Sequence, residues 1–589
     1  MRFEVLTKGT QNLPVLNQVL KNRGIEDIYH YTHLTKEDVC DYKSLGEDNL
    51  YKAATALQSA VVANEDNVIV VDSDADGFTS AALLYNYFYK IYPEWTINHL
   101  SWKMHEGKQH GLDDHLDKLL EEKNSIVWCP DGASNDYEAH LKLKENNSKV
   151  IVLDHHLADK ISEDAIIINN QLSDYPNKEA CGACIVWQFC RYLDGFLGVN
   201  FANSFLDLVA LGLTADMMSL HSYETRYLVW KGFQKENISN PFISYMLDKN
   251  AFPLSKSDYI SYSSQQACTG MGAAFFIVPF VNAVTRTGSS SEKELIFRSM
   301  LNPFAFEKIP EIKRNKATGK EEYLVLQAVR VIGNVKNRQT KKETTGLEAL
   351  EEKIQEKNMI AEHKALVFCL DSEELDAGVR GLVANKLMSK YQRPCIIMTE
   401  CGDIWAGSMR GYTKNGVESF KEILEKCRGI VYVAGHHNAA GCAVTKKDFD
   451  IFLEDLDREL SKYPSDPLYR VDYFYSNAEQ ISPNQILTIA AMNDFWGQDV
   501  DRAYVGGIIR IRPNMVTIMK GNTLKISLPN GVSLIKFSLS DEEVEIFTKN
   551  GWVDIEYYCK CNCNSWNGTD YPQLILESYK LICSSKYDF

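Results

Sequence analysis

Early in the chain, three short apolar runs each end in acids. "NVIVVDSDADG" places Asp72, Asp74 and Asp76 at alternate positions, "NSIVWCPDG" runs into Asp131, and "SKVIVLDHH" ends at Asp154, His155 and His156. Between them lie segments of helical character, "SAALLYNYFYKIY" and "GLDDHLDKLLEEK". Strand and helix therefore alternate, which predicts an α/β fold built on a doubly wound parallel sheet. Ligands of such sheets bind beyond the carboxyl ends of the strands, so Asp74, Asp76, Asp131, His155 and His156 are expected to face one crevice. A fourth acidic segment, "FLDLVALGLTADMMSL", has helical spacing and ends near Asp216.

Close carboxylates repel and raise one another's pKa, so Asp72, Asp74 and Asp76 call for a counter-charge that the neighbouring residues do not supply. Hard divalent cations take such clusters of oxygens. The mixed carboxylate and imidazole set suits Mn²⁺, with Mg²⁺ or Co²⁺ also compatible, better than zinc. So many ligands fit two metals about 3.5–4 Å apart, the arrangement that activates water for in-line phosphoryl displacement. Any one of these acids alone is more simply a helix N-cap. Their conjunction with an adjacent His-His pair has no shared structural explanation.

At 589 residues the chain exceeds what one core can hold, so several domains are expected. The net charge of -16 argues against a surface coated in basic residues for indiscriminate duplex binding, while leaving room for a basic channel inside an acidic shell. The amino-terminal residues lack a signal-peptide apolar core and no apolar run reaches spanning length, so no membrane association is expected. "GMGAAFFIVPFVNAV" comes nearest, but it is short and interrupted by Pro279, and reads as buried core. Fifteen cysteines without a secretion signal imply reduced thiols and a cytoplasmic setting. "CGAC" and "CKCNC" do not form the matched pairs of a zinc ribbon, so packing is their simpler account.

On these motifs the sequence resembles the DHH phosphoesterase superfamily, named for the triplet at Asp154, His155 and His156, and within it the RecJ family of single-strand-specific 5′ to 3′ exonucleases. The resemblance covers nearly the whole chain. "VLKNRGIED" is similar to that family's opening helix and turn. "DSDADGFTSAAL", "PDGASND", "VLDHH" and "LDLVALGLTADMMSL" resemble its first four motifs, with Ser73 where an aromatic is more usual. "INNQLSDYPNKEACGACIVWQF" resembles a stretch leading to a Gly-rich helix start, and "PFVNAVTR" supplies Asn282 and Arg286. Where the family carries an arginine before "EGYGL", this chain reads "KMHEGKQHGL", with Lys103 and His105 nearby. A lysine cannot fork two bonds to one phosphate, so weaker selectivity for a 5′ end is expected. Arg380 also occupies a slot that is usually apolar.

"DAGVRGLVANKLMSKYQRPCIIM", "AGSMRG" and "AGHHNAAGCAV" resemble the DHH-associated domain that closes over the crevice. Glycines from Gly435 to Gly441, around His436, allow backbone to approach a phosphate closely, while Ser408 and Arg410 can give charge-assisted bonds to its oxygens. "NRQTKKETTGLEALEEKIQEKN" looks like the long connecting helix of the RecJ core, and the charge-rich "EKIPEIKRNKATGKEE" reads as a solvated surface loop. From about Tyr469 the sequence alternates, with turn signals at "KGN" and "PNG", and predicts a small β-barrel. The resemblance makes it an oligonucleotide-binding fold, with Trp566 as a stacking position. The expected domains are residues 1–300 (amino-terminal segment and DHH domain), 301–362 (connecting region with the long helix), 363–465 (DHH-associated domain) and 466–589 (barrel).

The resemblance implies that Asp74, Asp76, Asp131, His155 and Asp216 bind the metal pair, with Asp131 bridging. Asp72 either ligates or stands behind the ligands, and Asp154 orients an imidazole. His156 touches the scissile phosphate or protonates the leaving oxygen. Activated water attacks phosphorus and the 3′ oxygen of the terminal nucleotide leaves, releasing mononucleotides from single-stranded DNA. Asn282, Arg286, Ser408, Arg410, Gly435, His436 and Lys103 are the phosphate-binding candidates. A monomer is expected, working in recombination, repair or replication with a single-strand-binding protein or helicase as partner. Two other readings share the fold: a DHH phosphodiesterase for short oligonucleotides or cyclic dinucleotides, which gives no reason for the carboxyl-terminal barrel, and a catalytically silent assembly factor, which predicts missing ligands.

Overall fold

The computed structural model describes residues 1–7, 13–107, 109–122, 124–247, 267–313 and 316–585. Its amino-terminal sheet has five strands: β1 Asn67–Val71, β2 Leu100–Met104, β3 Ile126–Pro130, β4 Lys149–Asp154 and β5 Ile166–Asn169. They lie in the order β2-β1-β3-β4-β5 with every pairing parallel. The near-continuous apolar runs follow from burial on both faces. Ile69, Val71, Trp128, Ile151 and Leu153 enter one core with Phe78 and Phe189, while Val68, Val70, Val127, Val150 and Val152 enter another with Leu119, Ala139 and Leu143. This is the expected doubly wound sheet, and its strand order reverses between β1 and β3, where a ligand crevice opens.

Helix α1 (Ala75–Ile91) leaves β1, and α2 (Gly182–Leu197) and α3 (Leu206–Ala215) follow β5. The predicted helix at "GLDDHLDKLLEEK" is shorter than its pattern, only Leu116–Glu122. Asp136 captures the backbone N–H of Leu112 at 2.7 Å and Gly111 takes a positive φ of 77°, so the first residues turn instead. The segment around Pro279 forms two helices, Gly270–Phe276 and α4 (Val278–Thr287), with the proline in the first turn of α4, where its missing N–H costs nothing.

The connecting helix α5 runs from Leu324 to Glu356. The stretch expected as a loop before it is an antiparallel hairpin, Lys308–Lys313 with Lys316–Tyr323. Its lysines face solvent, Glu322 pairs with Arg330 of α5, and its own ladder and the bond from Ile312 N–H to Gln327 engage the backbone.

A second sheet comprises β6 Leu366–Leu370, β7 Cys395–Cys401, β8 Ile404–Arg410, β9 Ile430–His436 and β10 Ala439–Thr445, in the order β9-β10-β8-β7-β6. Helix α6 (Arg380–Tyr391) precedes β7, and Arg380 is its first residue. Alternation along β7 sends Ile396 and Met398 to one core and Cys395 and Ile397 to the other.

The carboxyl-terminal region is a seven-stranded, mainly antiparallel sheet dominated by the long pair Trp552–Trp566 and Thr569–Ser585, consistent with the expected oligonucleotide-binding-like barrel. The first residues of the chain join this end of the molecule: Arg2–Val5 pairs in parallel with Leu468–Val471. Cys559, Cys561 and Cys563 are buried at alternate positions of one strand, in keeping with a packing role. Among the described residues no helix is long and apolar enough to cross a membrane.

Candidate metal centre

The acids gather where β1, β3 and β4 end. Asp74 is the N-cap of α1, its Oδ1 accepting from the N–H groups of Asp76 and Gly77 at 3.0 Å each. The simple capping role is thus real for Asp74, and it engages one carboxylate oxygen. Asp76, in the first turn of α1, accepts from Gly182 N–H at 2.7 Å and Ala183 N–H at 3.2 Å, so its charge sits on the positive end of α2. Asp131 follows β3 with φ at 68°, and its N–H donates to the Leu153 carbonyl at 2.8 Å. That left-handed turn swings its carboxylate toward the strand that carries His155. Asp216 stands at the C-terminus of α3.

His155 Nε2 lies 3.2 Å from Asp131 Oδ1, 3.4 Å from Asp216 Oδ2 and 4.0 Å from Asp76 Oδ2. Donor atoms of Asp76, His155 and Asp216 fall within 4.8 Å of one another, and so do those of Asp72, Asp74 and Asp131. Asp131, a member of the second group and 3.2 Å from His155 of the first, therefore joins the two. Burial, and then the charges of Asp76, Asp74 and Asp72, push the Asp131 carboxyl well above the usual range. Burial and neighbouring acids likewise raise Asp216 to about 8, and burial raises Asp72. Burial lowers His155, which favours the neutral imidazole a metal requires. Asp72 Oδ1 and Asp131 Oδ1 are buried without a hydrogen-bond partner. Orphaned oxygens among mutually repelling carboxylates, beside a neutral imidazole, fit a divalent cation or a pair of them.

Asp154 is buried and fully engaged. Its Oδ1 accepts from the N–H of His155 at 2.7 Å and from His156 Nδ1 at 2.8 Å, and its Oδ2 accepts from Ser134 N–H at 3.2 Å. Burial alone would raise its pKa, yet the bond to His156 and that ring's charge hold it below the usual range. The pairing outweighs burial for His156 too and lifts it to about 9. With Nδ1 fixed on Asp154, the other nitrogen of this half-exposed ring is left for a ligand.

Four supporting residues are absent from the sequence-based expectations. His110 Nδ1 sits 2.7 Å from Asp72 Oδ2. A Cβ on Gly182 would lie 2.4 Å from Asp131 Oδ1, one on Gly212 2.3 Å from Asp76 Oδ1, and one on Gly77 2.6 Å from Asp72 Cβ. These glycines let three helices press backbone against the acids. The "ACGAC" string marks Gly182, whereas nothing near His110 in sequence announces Asp72.

Of the phosphate-binding candidates, Asn282 Oδ1 accepts from Ala75 N–H at 3.2 Å, beside Asp74. Arg286, on the same face of α4, has a buried Nε without a partner, and burial lowers its pKa against the pull of Asp74. Arg410, at the end of β8, is lowered by burial and by the Arg286 charge, so two guanidinium groups share one partly buried space. Lys336, on α5, also feels Arg286 and was not foreseen. Ser408 is half-buried on β8, opposite Gly441. Gly435, with φ at 127°, and His436 end the exposed edge strand β9. Lys103 is turned to Glu122 at 2.5 Å. Trp566 stands 67% exposed at the tip of the long hairpin.

A profile of the DHH family N-terminal domain matches residues 67–213. A Bacillus subtilis protein provisionally named SPbeta prophage-derived single-strand DNA-specific exonuclease YorK is 31% identical over 593 residues, spanning 99% of this chain and 98% of that protein. The single-stranded-DNA-specific exonuclease RecJ of the same organism is 25% identical over 483 residues, 80% of this chain and 55% of that one. Among solved structures, RecJ of Thermus thermophilus in complex with Mn²⁺ superposes with a TM-score of 0.68 at 19% identity, covering 98% of this chain and 79% of that one. That last likeness is one of fold.

Proposed function

The chain belongs to the DHH family, among its RecJ-like single-strand-specific exonucleases, and from that membership we propose that it hydrolyses single-stranded DNA from a 5′ end to mononucleotides, using two divalent cations. The observation that carries the reading is His155 Nε2 within 4.0 Å of carboxylate oxygens of Asp76, Asp131 and Asp216, with the Asp131 oxygen nearest it buried and without a hydrogen-bond partner.

Asp72, Asp74, Asp76, Asp131, His155 and Asp216 would hold the cations, with Asp131 placed between Asp72 and Asp74 on one side and His155 on the other. Bound there, the cations supply Lewis-acid activation of water and neutralise charge on the phosphate oxygens. The oxygen-rich donor set favours Mn²⁺. Asp154 fixes His156 through Nδ1, so that Nε2–H donates to the scissile phosphate or to the departing 3′ oxygen. Arg286, Arg410 and Ser408 bind the terminal phosphate, which offers more charge than an internal one. Asn282 positions α4 against α1, and Gly435 and His436 line the far rim. Lys103, already paired with Glu122, contributes little to this pocket. The carboxyl-terminal domain guides the strand, with Trp566 stacking a base. The proposal keeps the domain limits read from the sequence, a cytoplasmic monomer, and a role in recombination, repair or replication beside a single-strand-binding protein or helicase.

The test incubates the protein with Mn²⁺ and single strands labelled at either end, with and without a 5′ phosphate. Release of labelled mononucleotide from the 5′ end first, faster with the phosphate, is the expected result. Release from the 3′ end first would overturn the polarity. Cleavage confined to di- or trinucleotides would make the chain an oligonucleotide phosphodiesterase, and an inert protein that still retards the strand would make it an assembly factor.

A further inference from the structure

We propose that His105, Asp114 and His115 form a second metal site, a zinc-type clasp on the loop that carries His110 to Asp72. Their donor atoms lie within 4.8 Å of one another, and among the described residues this is the one such group that shares no member with the acid centre. The two rings are 4.6 Å apart, centroid to centroid. His105 Nδ1 stands 2.9 Å from Asp114 Oδ2.

The second observation is one of unsatisfied chemistry. His105 and His115 are 2% and 6% exposed, and the Nε2 atoms of both rings are buried with no hydrogen-bond partner. Buried polar atoms are normally paired, because an unpaired one forfeits its hydration for nothing. Two orphaned imidazole nitrogens beside a carboxylate are what a borderline cation requires. The donor set of two imidazoles and one carboxylate is that of zinc sites with a position left for water. It differs from the oxygen-rich acid centre, so the two sites select different ions. Burial lowers the His115 pKa, which keeps that ring neutral and able to ligate. Lys103, whose charge acts on His115, is itself paired with Glu122.

The placement gives the site a purpose. The loop between His105 and His115 offers the Gln109 carbonyl to Ser73 Oγ at 2.5 Å, His110 to Asp72 at 2.7 Å, and Leu112 N–H to Asp136 at 2.7 Å. Lys293, itself buried, donates to the carbonyls of His105 and Glu106 at 2.8 Å each and anchors one end. An ion joining His105 to Asp114 and His115 closes the other end and fixes His110 on Asp72. The inference does not rest on the exonuclease reading.

The experiment strips the full chain of metal and titrates Zn²⁺ and, separately, Co²⁺, whose visible absorption reports four-coordinate nitrogen and oxygen ligation. Wild type and Asp131→Asn are expected to keep one tight zinc site, since that substitution touches the acid centre alone. Asp114→Asn and His115→Gln are expected to weaken it at least about 10-fold and to lose the cobalt band. Asp114 reaches solvent, so its variant serves if the histidine variant fails to fold. Unchanged zinc affinity in Asp114→Asn, or loss of all tight zinc binding in Asp131→Asn, would overturn the proposal.

Discussion

Replacing Gly182 by alanine puts one methyl group into one of the tightest contacts of the acid centre. The new Cβ would start 2.4 Å from Asp131 Oδ1 and 2.5 Å from Asp131 Cβ, where ordinary contact begins at 3.4 Å. Either the start of α2 or the Asp131 carboxylate must therefore retreat by roughly 1 Å, an overpacking that costs about 1–3 kcal/mol of stability. Retreat of α2 also withdraws the N–H that holds Asp76 Oδ2 at 2.7 Å. A displacement of about 1 Å at a catalytic group costs on the order of 100-fold in rate, so nuclease turnover at saturating Mn²⁺ should fall by about that factor. The control is Gly195→Ala in the same helix. There the nearest atom to a Cβ is Tyr42 Oη at 3.5 Å, so that variant should keep full activity and gain up to about 1 kcal/mol from helix propensity. Release of mononucleotides from 5′-phosphorylated strands, with denaturant unfolding on the same samples, measures both. A folded Gly182→Ala protein within about threefold of wild type would refute the claim that this contact sets the geometry.

Asp131→Asn and His155→Ala should each lower Mn²⁺-dependent cleavage more than about 100-fold while leaving the folded far-ultraviolet spectrum intact; unchanged rates remove these side chains from the centre. Arg410→Lys should reduce the preference for 5′-phosphorylated over unphosphorylated strands about tenfold, because an ammonium cannot fork two bonds. His110→Ala frees Asp72 Oδ2 and should weaken apparent Mn²⁺ affinity about 10–100-fold, read from the metal dependence of the rate. Trp566→Ala should weaken retention of long strands by about 1–3 kcal/mol in a retardation assay, with release from short ones unaffected.

The doubly wound sheet and its acids were legible because both signals are local. A strand buried on two faces must be a continuous apolar run, and a candidate ligand at its end must be among the next few residues, as with Asp72 to Asp76, Asp131 and His155. Contacts made between distant loops leave no such mark. The path that brings His110 to Asp72 depends on Asp136 holding Leu112 and on Lys293 holding His105, and neither partner is near in sequence. The pairing of Arg2–Val5 with Leu468–Val471 is hidden for the same reason. The hairpin at 308–323 lacks an apolar face, so its strands carry no alternation to read. Helix α5 begins upstream of the polar stretch that announced it, where "LVLQAVRVIGNV" packs its apolar positions inward. One missed feature had a plain signal. Asn567-Gly568, both with positive φ, is the two-residue connection that closes a tight hairpin, and it is what puts Trp566 at a tip.

In the proposed reading, a chain of net charge -16 holds its positive charge where the DNA strand ends. Two guanidinium groups sharing a buried space repel unless an anion joins them, and burial already lowers the pKa of both Arg286 and Arg410. A terminal phosphate, the proposed ligand, would relieve that repulsion, and an internal phosphate, with less charge, would relieve it less. Helix α4 links this pocket to the acids. Asn282 ties it to the first N–H of α1, next to Asp74, and Arg286 lies four residues further along the same face. At its end Thr287 presses on Gly378 of the second domain, where a Cβ would lie 2.9 Å from Thr287 Cγ2. On the proposed domain limits, one helix packed against both domains therefore spaces the proposed anion pocket from the acid centre. In the proposed reading that rigid spacing, rather than any contact with a base, fixes the cut at one nucleotide from the end whatever the sequence.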